Sequence, residues 1–431
     1  MIMKIKTKPL SPEKALALQK PLRKKPKKPD IVWRSLIWLL SQLELVPARF
    51  TYTKERMEQA KGPCLVLMNH SGFIDLKIAS TILYPKPFGI VCTSDGFVGK
   101  SLLMRIIGCI PTNKFVTDMS LMSDMKYALH QKKMSVLLYP EASYSFDGTA
   151  TPLPRKMGVL LKRLKVPVVT IITKGAFLKN PLYNGLQQRK AKVSAQVKCI
   201  LTPQEIAEKS VEELDAILDK AFSFDHFKTQ QEEQISVPEP FRADGLHRIL
   251  YKCPHCQSEG TLEGKGIHIT CSSCGVQYEL GEFGNLICKN NTPAFTHIPH
   301  WYAWQRECVK QEIESGEYSL DVPVSIGMLA DYKAIYMVGD GRLTHSAEGF
   351  TLTGDTGEIS YHHPTLASYS LYADYYWYEI GDVICIGNGE RLYYCFPKEN
   401  VPVAKARLAT EELYKINKKT RKKKETVETQ H

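Results

Sequence analysis

The 431-residue chain is too long for one compact domain, and its 43% hydrophobic and 24% charged content excludes wholesale disorder. Its net charge of +12 sits at the ends. Residues 1–30 hold ten Lys and Arg against Glu13 and Asp30, and residues 415–431 hold seven against Glu425 and Glu428, so the middle is close to neutral. That distribution argues against a basic surface for nucleic acid.

In chain order, residues 1–30 read as a basic flexible arm, and the stretch "RKKPKKP" before Asp30 suits attraction to an anionic lipid surface. Residues 31–60 follow, with Val32, Trp33, Leu36, Ile37, Leu40 and Leu43 at helical spacing. The apolar stretch is too short, and with Arg34 and Glu44 too charged, for a confident membrane span, so it is expected to lie in a membrane interface. A helix packed on the protein's own core gives the same periodicity. No signal peptide is expected, because a charged stretch precedes the apolar one. The predicted location is cytoplasmic, peripheral on the cytoplasmic face of a membrane. Unpaired cysteines in apolar surroundings agree with a reducing compartment.

Residues 61–228 alternate short apolar runs with helical stretches, which predicts an α/β domain with a mostly parallel sheet flanked by helices. The strands expected are "CLVLMN", "FGIVCT", "SVLLYP", "VPVVTIIT" and "KVSAQVKCIL", and "TPQEIAEKSVEELDAILDKAF" is expected as one closing helix. After the first strand comes "NHSGFID". His70 and Asp75 are five apart and would not share a helical face, so they meet only if His70 is on the loop and Asp75 in the first helical turn, with Gly72 permitting the bend. That geometry suits a general base and its orienting carboxylate. Taken alone, the pair is better explained by a helix-capping aspartate and a turn histidine.

The surroundings carry more. "NHSGFID" resembles the Asn-His-x-x-x-x-Asp block of the glycerolipid (lysophosphatidic acid) acyltransferases. "IGCIPTNKF", "LLYPEASYS" and "LPRKMGVLLKRLKVPVVTI" resemble three further blocks of that family, in the same order. The resemblance implies acyl transfer from a thioester, acyl-CoA or acyl carrier protein, to a hydroxyl of a lysophospholipid such as lysophosphatidic acid, in phospholipid biosynthesis. His70 would be the base and Asp75 its orienter, with no catalytic metal, and backbone amides near Glu141 would serve the oxyanion. The third block departs from the pattern: Ala142 stands for glycine, Ser143 for threonine and Tyr144 for an arginine thought to hold the acceptor phosphate. Lys114, Arg155 and Lys156 are candidate replacement cations. Glu141, Ser143 and Tyr144 complete the expected substrate-binding set. The altered block also admits a catalytically silent, lipid-binding or docking protein of the same fold.

Residues 229–240 read as a linker. In residues 241–286, Cys253, Cys256, Cys271 and Cys274 form two Cys-x-x-Cys knuckles, a spacing that brings four thiolates around one zinc and predicts a structural zinc ribbon. His255 lies inside a knuckle as a bystander. Residues 287–318 read as a helical connector and residues 319–416 as a small, mainly β domain with a terminal helix, a sandwich or barrel faintly similar to a pleckstrin-homology-type module. Residues 417–431 read as a basic tail.

Overall fold

The computed structural model describes residues 4–116, 118–154, 156–288 and 292–428, with side chains described as far as Arg421. The N-terminal segment carries β1 (Thr7–Pro9) and α1 (Pro12–Leu16), followed by α2 (Ile31–Leu45). This corrects the expectation of a flexible arm. Strand β1 adds in parallel to a strand more than 300 residues away, Ala15 is fully buried, and Arg23 bridges Asp118 and Asp124 at 2.7 Å each.

The α/β region follows: β2 (Thr51–Glu55), β3 (Leu65–Met68), α3 (Ile74–Leu83), β4 (Phe88–Thr93), α4 (Ser101–Ile106), β5 (Cys109–Thr112), α5 (Met119–Lys126), β6 (Ser135–Leu138), α6 (Met157–Leu164), β7 (Val168–Lys174), α7 (Ala176–Lys179) and β8 (Ser194–Leu201). The sheet runs β2-β8-β7-β3-β6-β4-β5 and is parallel except between β7 and β8. Every residue of β3 is buried, as a central parallel strand covered on both faces requires, and apolar clusters lie on either side of it. The single closing helix expected from the sequence is two, α8 (Pro203–Glu208) and α9 (Val211–Ala221). Ser210 starts the second with its own capping box to Glu213, which competes with continuation of the first.

The expected linker is not loose either. After α10 (His226–Glu232), Ile235 and Val237 are buried and the Val237 amide donates to the Glu282 carbonyl. Strands β9 (Leu262–Lys265), β10 (His268–Cys271), β11 (Gln277–Leu280) and β12 (Leu286–Cys288) form an antiparallel sheet beside the cysteine knuckles, and α11 (Ile298–Ser315) packs behind it.

The C-terminal region is one up-and-down antiparallel meander: β13 (Leu320–Leu329), β14 (Ile335–Ser346), β15 (Gly349–Gly354), β16 (Ser360–Pro364), β17 (Tyr372–Trp377), β18 (Gly381–Gly387) and β19 (Leu392–Pro397). Its order is β16-β15-β14-β13-β19-β18-β17, with β1 on β14, so the last strand pairs with the first in a single continuous sheet and not in two packed sheets. Helix α12 (Val403–Glu428) covers β17 and β18. It runs through the stretch expected as a basic tail. One apolar cluster spans this meander, α11 and the cysteine module, so the three share a core.

Candidate active site

Strand β3 ends at Met68, and the chain turns through Asn69 and His70 before α3 begins at Ile74. Asn69 is fully buried and anchors the turn to the neighbouring strand: its Oδ1 accepts from the Thr173 amide at 2.8 Å and hydroxyl at 3.1 Å. Asp75 lies in the first turn of α3 and is also buried. Its Oδ2 is 2.9 Å from His70 Nδ1 and accepts from the Ser71 and Gly72 amides at 2.7 and 3.1 Å. Two backbone donors thus fix the carboxylate, and the carboxylate fixes the imidazole. Gly72 serves through size: a Cβ there would come within 2.7 Å of Asn180 Oδ1.

The imidazole stacks on Tyr139, centroids 3.9 Å apart, and its other flank meets Tyr144 at 4.2 Å. Burial lowers the His70 pKa, the Asp75 hydrogen bond and charge oppose this, and Lys114 lowers it further. A neutral imidazole held through Nδ1 leaves Nε2 as a proton acceptor.

Glu141 is buried, and both its oxygens are occupied: Oε2 accepts from the His70 amide at 3.1 Å, and Oε1 from the Thr151 amide at 2.8 Å and hydroxyl at 3.2 Å. Burial pushes its pKa up to about 7 against those bonds. It clamps the loop that carries His70. The amides of Ala142 and Ser145 are committed to the carbonyls of Tyr139 and His70, which removes them as oxyanion donors. Ala142 has φ +57°, the left-handed conformation that a glycine would adopt without strain.

Of the remaining predicted residues, Ser143 is buried, its hydroxyl 3.4 Å from the Tyr144 carbonyl. Lys114 places its ammonium 5.9 Å from the Tyr144 ring centroid. Lys156 is exposed at the start of α6 and its amide donates to Asp215, a helix-packing position. Arg155 lies outside the described residues. Sequence reasoning missed Tyr139 as the stacking partner and the C-terminal residues around the site. Among these, Arg407 on α12 donates to the Tyr144 carbonyl at 3.3 Å, and Tyr372 on β17 lies under the Lys114 ammonium at 3.9 Å. No local pattern joins residues so far apart in the chain.

The sulfurs of Cys253, Cys256, Cys271 and Cys274 all lie within 4.8 Å of one another, with Cys253–Cys274 at 3.8 Å and Cys256–Cys271 at 3.7 Å. Four thiolates at zinc–sulfur bonds of about 2.3 Å form a tetrahedron with edges of about 3.8 Å, so the donor set fits such an ion. His255 instead pairs its Nε2 with the Tyr278 hydroxyl at 2.9 Å.

Helix α2 packs on α3 through a stacked Trp38–Tyr84 pair and a Gln42–Thr81 hydrogen bond, while Val32, Leu36, Leu39, Leu40, Leu43 and Val46 are exposed. Among the described residues no helix is long and apolar enough to cross a membrane.

Residues 49–174 match the family model described as Acyltransferase. Over 127 residues the chain is 24% identical to the Homo sapiens 1-acyl-sn-glycerol-3-phosphate acyltransferase beta, which covers 29% of this chain and 46% of that protein. The chain thus aligns with about half the length of that relative. The crystal structure of the 1-acyl-sn-glycerophosphate acyltransferase PlsC from Thermotoga maritima aligns at a TM-score of 0.35 and 13% identity, over 44% of this chain and 76% of that one. The family match spans β3, the His70–Asp75 turn and the Glu141 loop, and residues 49–174 form an acyltransferase-family domain.

Proposed function

We propose that the protein transfers a fatty acyl group from an acyl thioester, acyl-CoA or acyl carrier protein, to a hydroxyl of a lysophospholipid. The observation that carries this reading is the 2.9 Å His70–Asp75 pair within the acyltransferase-family domain. His70 Nε2 takes the proton of the acceptor hydroxyl as its oxygen attacks the thioester carbonyl. The tetrahedral intermediate collapses, the C–S bond breaks, and the imidazolium returns the proton to the departing thiolate. Asp75 stabilises the imidazolium without itself being protonated. Lysophosphatidic acid is the acceptor class favoured by the named relative and by Lys114, whose ammonium lies over the Tyr144 ring that flanks the imidazole.

The exposed apolar face of α2 supports attachment to the membrane that supplies the acceptor, next to a lysine-rich segment suited to anionic lipid. The four cysteines would hold a zinc ion that fixes the small β module; with all four positions filled by thiolates, its role is structural.

The test is transfer of labelled acyl groups from acyl-CoA and acyl carrier protein to a panel of lysolipids, by wild type and His70→Ala. Product with wild type alone supports the reading. Equal transfer by both removes His70 as the base, and bound lysolipid without product from either favours a lipid-docking role.

A further inference from the structure

The imidazole of His70 is held on three sides, and one of them depends on a helix outside the acyltransferase-family domain. Asp75 fixes the Nδ1 edge at 2.9 Å, but a single hydrogen bond leaves the ring free to swing about it. Tyr139 and Tyr144 close the two faces at centroid distances of 3.9 and 4.2 Å. Rings on both faces stop the swing. Their π faces are also electron-rich, so they favour the imidazolium that forms when the base takes its proton.

The two tyrosines are placed by different parts of the chain. Tyr139 directly follows β6 and packs on the apolar cluster of the α/β sheet. Tyr144 lies in the loop after the left-handed Ala142, and it packs instead on the cluster shared by the β-rich region, α11 and the cysteine module. Within the domain this loop is tied by the Ser145 amide, which donates to the His70 carbonyl at 3.1 Å. From outside, Arg407 on α12 grips it twice: Nη1 donates to the Tyr144 carbonyl at 3.3 Å, and the guanidinium lies 4.3 Å from the Phe146 ring centroid. Arg407 is itself buried and is aimed by Glu411, one helical turn later, whose Oε1 accepts from its Nε at 3.3 Å. A buried cation oriented by its own helix and spent on a neighbouring loop is a fixed strut, not a solvated surface charge. The family resemblance leads one to expect an arginine at position 144; here a ring stands there, and the guanidinium bonded to its backbone comes from α12.

We propose that Tyr144 is a positioning residue for the His70 imidazole and that Arg407 acts through it, so that the C-terminal region completes the geometry of the base. The inference rests on the acyl-transfer reading for its kinetics, while a spectroscopic test stands apart from turnover. With the full chain, Tyr144→Leu is expected to lower kcat about tenfold, part of what a placed base supplies, with KM for acyl donor and lysolipid changed by about twofold or less. Tyr144→Phe keeps the ring and should recover most of that loss. Arg407→Lys keeps a cation for Glu411 but loses the planar fork, and should lower kcat in the same way. The double variant Arg407→Lys/Tyr144→Leu should be no worse than Tyr144→Leu alone, because the arginine acts through the tyrosine. A raised KM with kcat kept would make Tyr144 a substrate contact, a raised kcat would make it an obstructing lid, and additive losses would separate Arg407 from it. Each of these overturns the proposal.

The spectroscopic test reads the His70 Nδ1 proton, donated to Asp75, as a downfield proton resonance identified by its absence from His70→Ala. It should be sharp in wild type and in Tyr144→Phe, and broadened in Tyr144→Leu and Arg407→Lys, where the imidazole samples other orientations. This outcome supports the positioning role even if wild type transfers no acyl group, a result that would remove the reaction alone. A resonance missing from wild type, or equally sharp in Tyr144→Leu, overturns the assignment whether or not any variant turns over. If Tyr144→Leu or Arg407→Lys fails to fold, as judged by thermal unfolding, Tyr144→Met or Arg407→Gln takes its place.

Discussion

One oxygen of Asp75 does all the holding at the centre of the site. Oδ2 meets His70 Nδ1 and the amides of Ser71 and Gly72, while Oδ1 is buried without a hydrogen-bond partner among the described residues. The carboxylate is thus aimed at three donors at once. Asp75→Asn removes the charge that supports the imidazolium and halves the acceptor capacity of the side chain. The expected result is a loss of about 10² to 10⁴ in kcat, the range of a mis-set base orienter, with KM for the lysolipid little changed. Steady-state kinetics check this; a variant within threefold of wild type would remove Asp75 from the mechanism.

The pH dependence follows from the groups around His70. The base works when neutral, so kcat/KM should rise with pH along a limb whose midpoint lies below the ordinary histidine value of 6.5, since burial lowers the pKa. Asp75 opposes that shift and Lys114 adds to it. Asp75→Asn should therefore move the midpoint of the rising limb down, and Lys114→Met should move it up. Both shifts are read from pH–rate profiles of the variants, and a common direction for the two would contradict the assignment of this limb to His70.

The turn, the pair and the knuckles were legible in the sequence because each is local. An apolar run followed by a polar turn and a helix determines where His70 and Asp75 lie, and two Cys-x-x-Cys knuckles suffice to bring four sulfurs together. The order of the N-terminal arm was not legible, because Thr7–Pro9 is held by Ile335–Met337 and lysine-rich composition says nothing of such a partner. Likewise Ile235 and Val237 sit in a polar, proline-bounded stretch whose burial comes from the module that follows. Tyr372 and Arg407 reach the site only through packing of the C-terminal region against the Lys114 and Tyr144 loops, a contact that periodicity does not encode.

Ala142 offers a test of backbone strain. At φ +57° an alanine side chain crowds the backbone by about 1–2 kcal/mol, while glycine costs about 0.5–1 kcal/mol in unfolded-chain entropy. Ala142→Gly should therefore stabilise the protein by about 0.5–1 kcal/mol, and the branched Ala142→Val should destabilise it by more. Thermal unfolding of the three proteins side by side decides; a glycine variant less stable than wild type would mean that the loop is not strained at this position.

The cysteine cluster predicts metal-dependent folding of more than its own sheet. Its strands share one apolar core with α11 and the β-rich region, and Lys252, next to Cys253, has its carbonyl bonded by Trp301 Nε1 at 2.9 Å and its amide donating to Gln305 Oε1 at 3.0 Å. Loss of an ion that contributes on the order of 10 kcal/mol to a four-thiolate site would loosen those contacts as well. Metal analysis should find one zinc per chain, lost in Cys271→Ser, and the variant should show exposed apolar surface by dye binding. Because α12 leaves the same core to hold the Tyr144 carbonyl through Arg407, acyl transfer should fall as the metal is stripped by a chelator. A metal-free protein with unchanged unfolding and full activity would show that the thiols need no ion.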